Sequence, residues 1–226
     1  MNFYQIMALF NAVGSGASCI ITLFNKNRSK VSNSFLLFNF SVFVWALYYF
    51  LWQICTNETE ALYWCRALMA GAAFIPSTFF HFSVRFVGKF QKYLNFVRIN
   101  YLGSFLLLFF DFTPLFVKDV SPRFFFPYWP VPGPLMILHI LMFVFLNAYG
   151  IFIFREYYLK LSGAKRKQAR YLSWGIGIGF AGGFTNYPLW YNIPILPVGN
   201  GLVVLFTLVF THLVLKYRIF DFEVII

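Results

Sequence analysis

Arg66, Asp111, His139 and Asn186 sit inside stretches that are otherwise almost wholly apolar. An ionisable group held in hydrocarbon is expensive, about 2.5–3.5 kcal/mol for an arginine at the centre of a membrane helix, so each needs a partner or a task. Arg66 and Asp111 carry opposite charges at similar depth. Two arrangements satisfy them: a pairing, direct or through a bound polar ligand, or an Arg66 that reaches the headgroups on its long stem. Tyr187 and Asn200 join these four as candidates for ligand binding. A second tier, His81, His212 and Asn39, falls toward the opposite ends of the same stretches. The chemistry on offer is binding and not catalysis. No nucleophile–base motif, phosphate loop, GxGxxG with a following acid or pair of carboxylates in one stretch is found. Cys19, Cys55, Cys65 and the three histidines lack metal-ligand spacing, and no cofactor is implied.

These side chains are carried by a chain of 226 residues in which 60% are hydrophobic, 33 are phenylalanine and 11% are charged. With a mean hydropathy of +0.70, too little charge remains to cover a soluble domain. The net charge of +11 raises the question of nucleic acid. The positive residues stand at the ends of apolar spans, however, so they read as topology and headgroup contact, and nucleic acid is excluded as a partner.

A hydrocarbon core needs about 20 apolar residues per helix. Seven segments qualify, near 3–25, 33–54, 62–86, 97–116, 134–155, 171–190 and 197–216. The expected fold is therefore all-α, a seven-helix transmembrane bundle over residues 1–216 with a short connector at 217–226. Met1–Phe10 lacks a basic start, so the first span is expected to stay in the mature protein. Lys and Arg gather at Lys26–Lys30, Arg85–Arg98, Arg155–Arg170 and Lys216–Arg218, that is, in every second loop and in the tail. The loops between hold only Lys118 and Arg123, beside Glu58, Glu60 and Asp119. By the positive-inside rule the N-terminus is outside, the C-terminus is cytoplasmic and the protein is multi-pass. In that orientation Arg66, Asp111, His139 and Asn186 form an outer tier, and His81, His212 and Asn39 an inner one. The basic stretch Arg155–Arg170 reads as an orientation signal held on anionic lipid, or as a docking surface for a cytoplasmic domain.

The outer loop Val117–Pro134 is the most distinctive. Its prolines forbid a regular helix and its aromatics suit the membrane interface, which makes it either a stiff anchor on the headgroups or a lid over an outward-opening pocket. Gly175, Gly179 and Gly183 are spaced for close approach of membrane helices. Pro76 and Pro188 are expected to kink spans three and six. Cys55 and Cys65 flank one outer loop and are either a disulfide pair or two small buried residues. Asn57-Glu58-Thr59 matches a glycosylation acceptor in a loop too short to favour it.

Gly182-Gly183-Phe184-Thr185-Asn186-Tyr187-Pro188, Tyr191-Asn192-Ile193-Pro194, Pro197-Val198-Gly199-Asn200 and Lys216-Tyr217-Arg218-Ile219-Phe220-Asp221 form a series. With Phe74-Ile75-Pro76 and His81-Phe82 upstream, it resembles the seven-helix N-terminal input region of bacterial sensor histidine kinases. The resemblance covers nearly the whole chain. It implies a sensor in the bacterial inner membrane that passes a signal inward to PAS, histidine kinase or diguanylate cyclase domains, in cis or in trans, and a homodimer. No such domain lies in these residues, so no enzymatic activity is expected of them. The apolar stub Phe222–Ile226 reads as an excised domain boundary, a truncated product or a protein signalling through a separate partner. The ligand is expected to be small or lipid-like, with membrane lipids as further partners. His81, His212, Lys216, Arg218 and Asp221 are the expected relay, with span seven as output rod. A retinal protein is excluded because Leu202–Leu215 holds no lysine. The serious alternative is a small transporter or channel using Asn147, His81 and the span-six glycines.

Overall fold

The computed structural model describes residues 1–25, 28–203 and 205–206, with the backbone alone at 164, 165 and 168. Six long helices dominate: α1 (Phe3–Leu23), α2 (Lys30–Gln53), α3 (Glu58–Phe86), α4 (Phe90–Phe109), α5 (Met136–Leu159) and α6 (Gly163–Phe184). At 1.5 Å per residue they run from about 30 to about 43 Å, enough to cross a hydrocarbon core of about 30 Å. Among the described residues, α1, α2, α3 and α5 are both long and apolar enough to span a membrane. The protein is a helical membrane bundle. A one-turn helix α7 (Tyr187–Trp190) follows, and helical backbone resumes at Asn200.

Local chemistry sets the helix starts. Asn2 and Gln5 close a capping box on α1, and Ser29 with Ser32 does the same for α2. Asn57 caps α3 by accepting from the Glu60 N–H at 2.9 Å, with Glu58 and Glu60 placed against the positive end of the helix dipole.

Because the long helices are joined by short turns, their ends alternate between two faces of the bundle. One face collects the basic turns around Arg28, Lys89 and Lys160. The other collects the segments 54–57, 110–135 and 185–199. α3 is the central post, packed against α2, α4 and α5.

Three expectations are corrected here. The fold is not purely α. Val117–Arg123 (β1) and Phe126–Pro132 (β2) pair antiparallel, with Val120 opposite Pro130 and Ser121 opposite Trp129. Proline is tolerated because both strands of a two-stranded ribbon are edges, and the register breaks twice, between Val117 and Asp119 and between Ser121 and Arg123. Phe124, at φ 49°, makes the left-handed turn that joins them. Second, the fourth helix runs over Phe90–Phe109 and not 97–116. It ends in a turn at Phe110, so Asp111 lies beyond the helix and not within it. Third, Pro188 kinks nothing: α6 stops at Phe184, and Pro188 stands in the first turn of α7, where its missing N–H costs no hydrogen bond. Pro76, by contrast, lies inside α3 as expected.

The span-six glycines pack, though not as the four-residue spacing suggested. A Cβ on Gly182 would stand 2.3 Å from the Gly199 carbonyl oxygen, and one on Gly179 2.9 Å from Phe206, so these two admit the segment that follows. Gly183 has nothing within 4 Å.

Candidate functional site

The hairpin closes one end of the bundle. Trp129 and Phe126 point inward and are buried, Trp129 completely. Trp129 meets Trp52 edge-on at 5.0 Å, and Phe126 meets Tyr4 at 4.9 Å. Two hydrogen bonds fasten the ribbon to the end of α2: the Trp52 Nε1–H donates to the Tyr128 carbonyl at 2.7 Å, and the Tyr128 hydroxyl donates to the Thr56 carbonyl at 3.0 Å.

Beneath this cover lies a cavity among α2, α3, α5, α6 and α7. Its volume is about 60 Å³ by the measure in which one water needs ~10–15 Å³. Phe38, Trp45, Phe143 and Phe180 supply much of the wall, and no charged residue lines it among those described. Polarity enters at Tyr49, Asn186 and Tyr187. The Tyr49 hydroxyl donates to Asn186 Oδ1 at 3.1 Å. Asn186 and Asn200 exchange amide hydrogen bonds of 2.7 and 3.3 Å, and Asn186 Nδ2 also reaches the Gly183 carbonyl. Asn11 on α1 donates to the backbone carbonyl of Asn200 at 3.1 Å. One chain of hydrogen bonds therefore runs from the cavity wall to the residue where the last described helix begins. On the other side of the cavity, the Tyr187 hydroxyl meets His139 Nε2 at 2.7 Å, and His139 is fully buried.

Four of the six expected ligand residues thus gather around one cavity: Asn186 and Tyr187 on its wall, with Asn200 and His139 directly behind them. The other two do not join them. Arg66 gives Nε and Nη2 to the Val117 carbonyl, at 3.3 and 3.2 Å, where the hairpin begins. Asp111 is fully buried with both carboxylate oxygens unpartnered. No salt bridge links the two: the guanidinium's hydrogen bonds go to the first carbonyl of β1, while its charge still acts on Asp111.

Among the expected relay residues, His81 sits between α3 and α4. Its Nδ1 meets the Tyr101 hydroxyl at 3.0 Å and its Nε2 accepts from Arg85, whose guanidinium lies 3.2 Å over the Phe90 ring. Asn39 bonds Ser18 of α1. His212, Lys216, Arg218 and Asp221 lie outside the described residues. No cluster of three metal-ligating side chains occurs among those described. Cys55 and Cys65 are free thiols. Cys55 donates to the Leu51 carbonyl, and burial, with Glu60 nearby, pushes its thiol up to about 11.

Sequence reasoning missed Asn11 and Tyr49. A tyrosine in an aromatic-rich span looks like interface furniture, and only the fold turns it toward Asn186. Asn11 carried a usable signal, because a lone amide in an apolar helix needs a partner.

A model of the N-terminal 7TM region of histidine kinase matches residues 7–223. The chain belongs to this family. It is a membrane protein of signal transduction, from the non-catalytic input region of sensor histidine kinases. The match reaches through Asn186, Tyr187 and Asn200, and beyond the described residues. No curated protein matches the chain.

Proposed function

We propose that this input region senses a small or lipid-like ligand in the cavity under the hairpin and relays its presence through the last helix to a cytoplasmic output domain. In this reading the bundle has seven spans, with the N-terminus outside and the C-terminus in the cytoplasm of a bacterium. Residues 1–216 form the sensor and 217–226 begin the connector to a kinase or cyclase, in cis or in trans, within a homodimer. The sorting of basic turns to the face opposite the hairpin supports that orientation.

The observation that carries the reading is the Asn186–Asn200 amide pair. Asn186 stands on the cavity wall, and Asn200 begins the last helical run among the described residues. A ligand that draws Tyr49 or Asn186 toward itself must loosen the hold on Asn200. It thereby binds two arrangements of the last helix with different affinity, which is the requirement for any ligand-driven switch. Gly179 and Gly182 hold the segment that follows close against α6, so a shift of that segment is felt there.

The test is to join the chain to a reporter histidine kinase and replace Asn200 by leucine. Autophosphorylation should become fixed in one state and indifferent to culture extracts that move the parent chimera. Undiminished response in Asn200→Leu would contradict the reading.

A further inference from the structure

The cavity's chemistry says what kind of molecule it takes. No charged side chain lines it among the described residues, so an ion would lose its hydration with no counter-charge in reach. Its side-chain amide is already spent. Asn186 gives both amide hydrogens, to Gly183 and Asn200, and its oxygen already accepts from Tyr49 and Asn200. What is left to donate is the hydroxyl of Tyr187, together with the indole N–H groups of Trp45 and Trp190.

His139 decides how that hydroxyl is used. Its Nδ1 is buried with no partner, and its Nε2 is 2.7 Å from the Tyr187 oxygen. One neutral tautomer would strand an N–H on Nδ1; the other places the N–H on Nε2, donating to Tyr187, and strands only a lone pair. Orphaned buried N–H groups are the rarer case, so the second tautomer holds. Tyr187 then accepts from His139 and keeps its own O–H to donate. Phe143, 5.5 Å from the Tyr187 ring, and Phe180 beyond it continue the wall as an apolar bed.

We propose that the cavity binds an uncharged, largely apolar molecule whose polar head is a hydrogen-bond acceptor, a carbonyl above all, seated on the Tyr187 hydroxyl. This rests on the reading of the cavity as the sensor's ligand site. His139 is a positioning residue that orients the donor. A carboxylate or ammonium head on the same body is rejected.

Three tryptophans, Trp45, Trp52 and Trp190, border the cavity, so a bromine brought into it quenches intrinsic fluorescence. The full chain in lipid nanodiscs is titrated with three probes of one chain length: 12-bromododecan-2-one, 11-bromoundecanoate and 11-bromoundecyltrimethylammonium. The ketone should quench saturably, while the two ions show only the linear quenching of lipid partition. Gly183→Leu fills the cavity from a position whose Cβ meets nothing within 4 Å, and should abolish the saturable phase. Tyr187→Phe keeps the ring and should weaken ketone binding about five- to tenfold, the loss expected for one hydrogen bond. Should an ion quench saturably, as strongly as the ketone and sensitively to Gly183→Leu, the head-group assignment falls and the cavity stands as a ligand site. Saturable ketone quenching unmoved by Tyr187→Phe would likewise overturn the assignment to that hydroxyl. With no saturable, Gly183-sensitive quenching by any of the three, both the assignment and the cavity reading fall.

Discussion

The two halves of α3, divided at Pro76, are built from different material. On the hairpin side run Ala67, Met69, Gly71, Ala72 and Ala73; on the basic side run Phe79, Phe80, Phe82 and Phe86. The small residues let α2 come close, since a Cβ on Gly71 would stand 2.4 Å from the Trp45 backbone nitrogen, and they leave room for the cavity beside Leu68, Met69 and Ala72. The phenylalanines leave no such room. Phe79 packs on Phe38, Phe154 and Phe180, and Phe82 on Phe35 and Phe86. In a bilayer, where lipid tails are as apolar as the side chains, helix association rests on packing contact and on interhelical hydrogen bonds. The aromatic half uses both, with Ser77 and His81 bonding α4 beside the packed rings, while around the cavity the contact rests on the Tyr49–Asn186–Asn200 bonds. One helix therefore joins a rigid base to a part with room to rearrange.

Truncation in the aromatic half should cost most. Phe79→Ala removes a fully buried ring and should destabilise by about 3 kcal/mol, measured by unfolding in mixed micelles. Gly71→Ala should follow at about 2 kcal/mol, because the methyl meets backbone that cannot step aside. Asn186→Leu should cost about 1–2 kcal/mol by stranding Tyr49 and Asn200, and the double variant with Asn200→Leu should cost less than the sum of the singles. Gly183→Leu should change stability by less than about 0.5 kcal/mol while abolishing ligand response. Equal costs for Phe79→Ala and Gly183→Leu would erase the distinction between the halves.

Much of this was legible in the chain. Apolar stretches gave the long helices, and the grouping of basic residues matches the alternation of their ends. Asn186 and His139 were marked by polarity in apolar surroundings, Tyr187 and Asn200 by the motif series that resembles the kinase input region, and the structure brings those four together. The hairpin was not legible, because Pro122, Pro127, Pro130 and Pro132 argue against strands until each strand is known to be an edge. Arg66 and Asp111 form no salt bridge for the same reason: the guanidinium's hydrogen bonds go to a carbonyl of that unforeseen ribbon, and its charge reaches Asp111 without direct contact. Helix four slipped by seven residues because Phe110-Asp111-Phe112 reads as apolar continuation, whereas the chain turns there to enter the hairpin. Tyr49 needed the three-dimensional arrangement to stand out from its aromatic neighbours.

The central claim is that cavity occupancy moves the start of the last helix. It is tested most directly by fixing that start to α1. A Cβ at Gly201 would stand 3.4 Å from Met7 Sδ, so Met7→Cys and Gly201→Cys can be joined by a short bis-methanethiosulfonate linker, cleavable by reduction, once Cys19, Cys55 and Cys65 are replaced by serine. In the reporter-kinase chimera, the bridged protein should hold one level of autophosphorylation whether or not 12-bromododecan-2-one is added, and reduction should restore the response. A bridged chimera that responds to the ketone as fully as the reduced one would contradict the account.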